Sequence, residues 1–271
     1  MTFKTSLLIV SSLCVLAACG PASTGPVTVS ASEATTATAV SVQSEPELGH
    51  SAEVFFNTTS YGMGASSGYA FSSETGEILI SSDETGVINA YALDPESGDK
   101  RALTASDTNA TYALSWFPED DRILVTADGG GDELNHIYVR EADGALRDLT
   151  PGENVKASFM GWSADGSQIW ISTNERDPAA FDLYAYDAET YERSLVFENA
   201  EALAMSAISP DGRWLALDRP RTSADSDILL ADLTSDEAPV LITEHEGNIA
   251  YGAYDFTADS SALVYATNEY G

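Results

Sequence analysis

Gly64-Ala-Ser66-Ser-Gly68 has the spelling of a nucleophile elbow, G-x-S-x-G. That motif serves acyl transfer by thrusting a serine hydroxyl out of a strained strand-to-helix turn. A serine in this role needs a helix behind it and an imidazole within reach of its proton. The residues that follow, Tyr69-Ala-Phe-Ser-Ser, read instead as a strand, and His50, His136 and His245 stand in unrelated contexts. The sequence therefore argues against a catalytic Ser66. A second candidate is Asp128-Gly-Gly-Gly-Asp132-Glu133-Leu-Asn135-His136, a long acidic hairpin loop. Its closely spaced oxygen ligands suit a hard cation such as calcium, but the spacing matches no defined calcium loop. Asp128, Asp132, Glu133 and His136 are read as a rim loop able to contact or gate a substrate, with calcium as the alternative. No cofactor is expected.

Two further motifs rest on resemblance. Gly130-Gly-Asp-Glu-Leu134 resembles the hallmark of diguanylate cyclases, but that motif belongs to an α/β domain with helices, and no stretch downstream has a capped helical period. Coincidence is the better reading. At the N-terminus, Lys4, the apolar run Leu7 to Leu16 and Leu16-Ala-Ala-Cys19 resemble the signal peptide and lipobox of bacterial lipoproteins. The resemblance implies removal of residues 1–18 and lipidation of Cys19. Gly20, not an aspartate, follows the cysteine, which by the same analogy implies the outer membrane, facing the periplasm. An ordinary secretory signal or an uncleaved anchor is the alternative. The other cysteine, Cys14, lies within the removed segment, so the mature chain has no pair for a disulfide.

The elements that would carry these residues are set by a repeat. Turn signatures recur at Phe71-Ser-Ser-Glu-Thr-Gly, Phe117-Pro-Glu-Asp-Asp, Trp162-Ser-Ala-Asp-Gly, Ile208-Ser-Pro-Asp-Gly and Phe256-Thr-Ala-Asp-Ser. Their acids, Glu74, Asp120, Asp165, Asp211 and Asp259, are spaced 46, 45, 46 and 48 residues apart. Between them lie short apolar strands such as Ile123-Leu-Val and alternating strands such as Leu183-Tyr-Ala-Tyr-Asp187. A period of this size with only strand-like segments between turns predicts a β-propeller, one four-stranded blade per repeat. The chain reads as all-β, with four complete blades and a partial fifth cut from a larger propeller. The turn acids read as structural, because Asp bonds its own backbone and Gly tolerates positive φ. Trp116, Trp162, Trp170, Trp214, Tyr138 and Tyr184 read as packing between blades, since no single blade covers both of its faces.

Residues 19–52 read as a tether rich in Ala, Ser, Thr, Val and Pro, and residues 53–271 as the propeller. A flexible chain of that length reaches roughly 30 Å. The formal charge is −31, from 12 basic and 43 acidic residues. Such a surface repels phosphates and carries no basic stripe, so nucleic acid is excluded as a partner.

Several runs together resemble the propeller of the prolyl oligopeptidase family, nearest to acylaminoacyl-peptidases and dipeptidyl peptidases. They are Phe55-Phe-Asn-Thr-Thr-Ser-Tyr61, the stretch from Gly130 to Arg140, Asp148-Leu-Thr-Pro-Gly-Glu153, Asn174-Glu-Arg-Asp177, Ile208 to Ala216 and Thr243-Glu-His-Glu-Gly247. In that family the propeller precedes a C-terminal α/β-hydrolase domain carrying the Ser, Asp and His, and admits short peptides to it. The resemblance implies a substrate-gating propeller of a secreted serine peptidase, with the membrane (through the lipid), short peptides and that hydrolase domain as partners. None of the triad maps onto this chain. Two alternatives stay open: a non-catalytic TolB-like scaffold that binds protein or ligand, and a five-bladed ring closed by Glu53-Val-Phe-Phe-Asn57 returning as a strand.

Overall fold

The computed structural model describes residues 50–270, and the segment from Thr59 onward forms a unit of its own. Among the described residues, eighteen strands fall into five antiparallel sheets whose order follows the chain. The first blade holds β1 (Tyr61–Met63), β2 (Ile78–Ser82), β3 (Asn89–Leu93) and β4 (Lys100–Ala102). The second holds β5 (Thr111–Trp116), β6 (Ile123–Ala127), β7 (His136–Arg140) and β8 (Leu146–Asp148). The third holds β9 (Ala157–Trp162), β10 (Gln168–Asp177), β11 (Ala180–Asp187) and β12 (Arg193–Phe197). The fourth holds β13 (Ala204–Ile208), β14 (Trp214–Thr222), β15 (Asp225–Asp232) and β16 (Val240–Leu241). The fifth sheet has two strands, β17 (Tyr251–Phe256) and β18 (Leu263–Thr267). The propeller pattern read from the repeat is the fold observed.

Alternation along the strands explains why the sheets stack. Ile169 and Ile171 point to one neighbour and Trp170, between them, to the other. Four apolar clusters result, one at each junction. Leu79, Ala90 and Ala92 meet Trp116, Ile123 and Val125 between blades one and two. Leu124, Ile137 and Val139 meet Trp162, Ile169 and Tyr186 between two and three. Leu183 and Ala185 meet Leu215, Leu217 and Leu229 between three and four. Ala207 and Ala216 meet Phe256 at the last junction. Burying each large aliphatic or aromatic side chain contributes about 1.5–3 kcal/mol, and in each case the burial needs the adjacent blade.

The repeated turn acids act on their own backbone. Asp120, Asp165, Asp211 and Asp259 each accept the amide two residues on, at 2.8, 3.0, 3.1 and 3.1 Å. Ser163 and Ser167 hold the Asp165 carboxyl down at about 2, and Thr257 and Ser261 do the same for Asp259. In the first blade Ser72 takes over, accepting the amides of Glu74 and Thr75. At Gly212 the backbone has φ +69, and an added Cβ would sit 3.0 Å from the Trp170 ring of the preceding blade. There the turn glycine serves both the turn and the junction.

Two departures from the sequence reading are local. Tyr69-Ala-Phe-Ser-Ser is not a regular strand: Tyr69 and Phe71 make only single bridges, to Trp116 and Ile78. The first strand of the blade is β1, and a turn over Ser66 and Ser67 interrupts the edge between the two parts. The segment Glu53–Asn57 is not a closing strand. Residues Ala52–Phe56 form one helical turn, α1, with Ser51 at its N-cap position and the Asn57 amide bonded to the Glu53 carbonyl. The Val54 and Asn57 amides bond within the segment, to the Ser51 and Glu53 carbonyls, and the side chains of Val54, Phe55 and Phe56 are exposed.

Ser115 ties three blades together. Its hydroxyl, fully buried in blade two, accepts the Tyr69 amide of blade one at 2.8 Å and the Trp162 indole N–H of blade three at 2.9 Å. It donates to the Trp116 carbonyl at 2.6 Å. Replacing it leaves two donors without their acceptor, at about 1–3 kcal/mol for each buried one. Ser115→Ala is expected to lower unfolding free energy by on the order of 3 kcal/mol, read as a lower urea midpoint at unchanged m-value. A midpoint within error of the parent would refute the three-blade tie.

Candidate functional site

The elbow-like segment has a packing explanation. A Cβ at Gly64 would lie 2.6 Å from the Leu114 carbonyl oxygen, and one at Gly68 would lie 2.7 Å from the same oxygen and from the Ser115 Cβ. The Ala65 amide donates to that carbonyl at 2.7 Å. Both glycines let the chain press against β5. Ser66 sits on the exposed turn between them, and Tyr69 follows in a bridge, not a helix. The geometry of an activated serine is not built here.

The acidic loop after β6 folds on itself. Asp132 Oδ1 accepts the amides of Gly129 and Leu134 at 3.2 and 3.0 Å, and Asp128 Oδ2 accepts that of Glu133 at 3.2 Å. Glu133 adopts φ +61, the conformation that closes the loop. His136 stands at the start of β7, apart from these acids. Its Nδ1 bonds Asp148 Oδ2 at 2.8 Å, and its ring stacks on Tyr138 with centroids 6.2 Å apart. Burial, then the nearby Asp148 and Asp132 carboxylates, pushes the Tyr138 hydroxyl up. The loop thus gathers Asp128, Asp132 and Glu133 but leaves His136 with another partner. No group of three or more His, Cys, Asp or Glu able to hold a metal occurs among the described residues. Cys19 lies outside the described residues.

The position of His136 recurs in every complete blade, without a simple signature in the sequence. A polar residue holds the equivalent position near the start of each third strand: Asn89, His136, Asp182 and Asp227. Asn89 accepts Thr104 Oγ1 and the Ser106 amide at 2.9 and 2.8 Å. Asp182 and Asp227 are fully buried carboxylates. Arg176 grips Asp182 through both oxygens at 2.5 and 2.7 Å, and the Asn199 amide adds a third bond at 2.8 Å. Burial pushes the Asp182 carboxyl up, but Arg176 and the Asn199 amide outweigh it and hold it below the usual carboxylate range. Arg219 and Arg221 both turn to Asp227. The hairpins joining second and third strands therefore form one polar end of the propeller, built on buried charges. The arginines alone hint at this in the sequence; their partners lie six or eight residues on, across a hairpin.

His245 completes this end in blade four. Its Nδ1 lies 2.8 Å from the Thr243 carbonyl oxygen and its Nε2 lies 3.0 Å from Asp225 Oδ1. Both partners only accept, so both ring nitrogens must donate, and only the imidazolium does so. Asp227 Oδ1 stands 3.7 Å from Nδ1, and the Tyr251 ring of β17 faces His245 at 5.2 Å. The Thr243 carbonyl first, then the Asp225 carboxylate, raises the imidazole above its ordinary 6.5. Next to it, Ser226 Oγ accepts the Tyr251 amide at 2.9 Å and donates to the Tyr251 carbonyl at 2.6 Å, clipping β17 to blade four.

No protein-family model matches the chain. Among curated proteins it is 27% identical over 147 residues to dipeptidyl aminopeptidase BIII of Pseudoxanthomonas mexicana, a match covering 53% of this chain and 21% of that protein. It is 27% identical over 128 residues to dipeptidyl peptidase family member 6 of Caenorhabditis elegans, covering 44% of this chain and 17% of that one. The match thus spans only about a fifth of the length of these relatives. Among solved structures, one of two prolyl endopeptidases aligns over 79% of this chain and 33% of its own, with TM-score 0.57 and 14% identity. An oligogalacturonate lyase in complex with manganese aligns over 79% of this chain and 61% of its own, with TM-score 0.59 and 15% identity. Identities this low speak for the fold alone.

A raised histidine makes a pH prediction. The folded state binds the proton more tightly than the unfolded chain, so the contribution of His245 is complete below 6.5 and is lost as pH rises through the raised folded value. Unfolding midpoints should fall across that window in the parent and be flatter in His245→Gln. An unchanged slope would contradict the imidazolium assignment. The chain is a β-propeller protein whose sequence relatives are dipeptidyl peptidases.

Proposed function

We propose that this chain supplies the substrate-gating propeller of a secreted, lipid-anchored serine peptidase acting on short peptides. In this reading the acyl-transfer machinery belongs to an α/β-hydrolase domain, and the propeller selects what reaches it. The observation that carries the proposal is the match to two dipeptidyl peptidases over about half of this chain. The fold supports it: first strands of successive blades touch one another, β9 with β13 and β13 with β17, so they line one inner surface. Side chains on these strands, among them Met63, Tyr112 and Tyr254, are exposed, as a wall that meets passing peptides requires. The anchor is proposed on Cys19 and the apolar run before it.

The test is expression of the natural reading frame from Met1 through whatever follows residue 271, with and without Cys19→Ser. The parent should incorporate labelled fatty acid, partition with membranes and hydrolyse dipeptidyl-amide substrates. Cys19→Ser should abolish labelling and leave hydrolysis intact. Residues 19–271 alone should not hydrolyse them. A stop codon at 272, with no hydrolysis by any product, would overturn the peptidase reading in favour of a binding scaffold. Unlabelled protein cut elsewhere would overturn the anchor.

A further inference from the structure

Asp227 is unlike any other carboxylate among the described residues. Every other one paired with an arginine or lysine serves a single such residue, whereas Asp227 serves both Arg219 and Arg221. All of these contacts converge on one atom. Oδ2 receives Nε and Nη2 of Arg219 at 3.1 and 2.9 Å, and Nε and Nη2 of Arg221 at 2.8 and 2.8 Å. Oδ1 receives no donor among the described residues and faces His245 Nδ1 at 3.7 Å.

The cluster is over-supplied with positive charge. Arg219, Arg221 and the His245 imidazolium stand against Asp225 and Asp227, leaving one positive charge in a chain whose net charge is −31. Two guanidinium groups drawn to one oxygen repel each other, and a single buried carboxylate offsets only one of them. Their side chains are 36% and 44% exposed, and neither Nη1 has an acceptor among the described residues. Buried Asp227 therefore fixes the inner edges of both forks, while their outer donors stay open to solvent. Planar forks of this kind match the two oxygens of a carboxylate.

We propose that Arg219 and Arg221 form a carboxylate-binding site that takes the terminal carboxylate of a short peptide at the polar end of blade four. The choice of a peptide rests on the peptidase reading above. The field of an acidic molecule disfavours free inorganic anions, while a zwitterionic peptide carries its own positive charge and meets no net repulsion. Asp227 positions the pair and does not touch the ligand.

The test uses the full chain with labelled arginine side chains, following the Nε–Hε resonances by NMR. The probes are Ala-Ala, Ala-Ala-amide and sodium acetate. Ala-Ala should shift the Arg219 and Arg221 resonances saturably. The amide, which lacks the charge, should bind about tenfold or more weakly, as losing a charged hydrogen-bond pair implies. Arg221→Lys, which keeps the charge but not the fork, should weaken Ala-Ala by a similar factor while the other arginine resonances stay in place. If Ala-Ala and its amide bind alike at this pair, the peptide reading survives and the carboxylate site falls. If acetate binds as tightly as Ala-Ala, the peptide assignment falls. If no probe moves these two resonances, the site is refuted, whatever the hydrolysis assay shows.

Discussion

Among the described residues, no four-stranded sheet covers both of its own faces, and everything else in the structure follows from that constraint. Each second and third strand sends alternate residues to opposite sides, so Ile169 and Ile171 need blade two while Trp170 needs blade four. Stability is then a sum of junctions, not of blades. The polar links obey the same geometry. Ser115 joins three blades through one hydroxyl, and Ser226 joins β17 to blade four. Gly64, Gly68 and Gly212 stand where a side chain would hold neighbouring segments apart.

Stacking also explains why charge can be buried at one end. Asp182 and Asp227 lie near the start of the third strands of blades three and four and are fully inaccessible. A buried carboxylate is tolerated only when paired and hydrogen-bonded, and the arginines arrive from the adjacent strand across a hairpin. Blade three balances one carboxylate with one bidentate arginine. Blade four does not balance: two arginines and a protonated histidine surround two acids. This asymmetry between otherwise repeated units makes blade four the place where an anionic group would be recognised.

Much of this was legible in the sequence, and the misses share a cause. The spacing of Asp120, Asp165, Asp211 and Asp259 announced the repeat because each acid caps its own turn, a local interaction that the sequence displays directly. The aromatic residues announced the junctions, since only stacking buries them. Strand propensity at Tyr69-Ala-Phe-Ser-Ser is real, but the preceding glycines pack on β5 and leave only bridges there. The acids of the loop after Asp128 were legible as a group, but their use on local amides, and the separate pairing of His136 with Asp148, were not. The Arg219, Arg221 and Asp227 cluster depends on a hairpin register, and Ser115 on a partner 47 residues away. Neither register nor partner is written in composition or period.

The central claim, that junctions and not single blades hold the molecule together, is tested most directly by native-state hydrogen exchange of this chain. Strands β9 to β12 are packed between blades two and four, whereas β17 and β18 pack on blade four through one small cluster around Phe256. The account predicts that amides of β10 and β11 exchange only on global unfolding, and that those of β17 and β18 exchange at least about a hundredfold faster through local opening. Equal protection of β17–β18 and β10–β11 would contradict it.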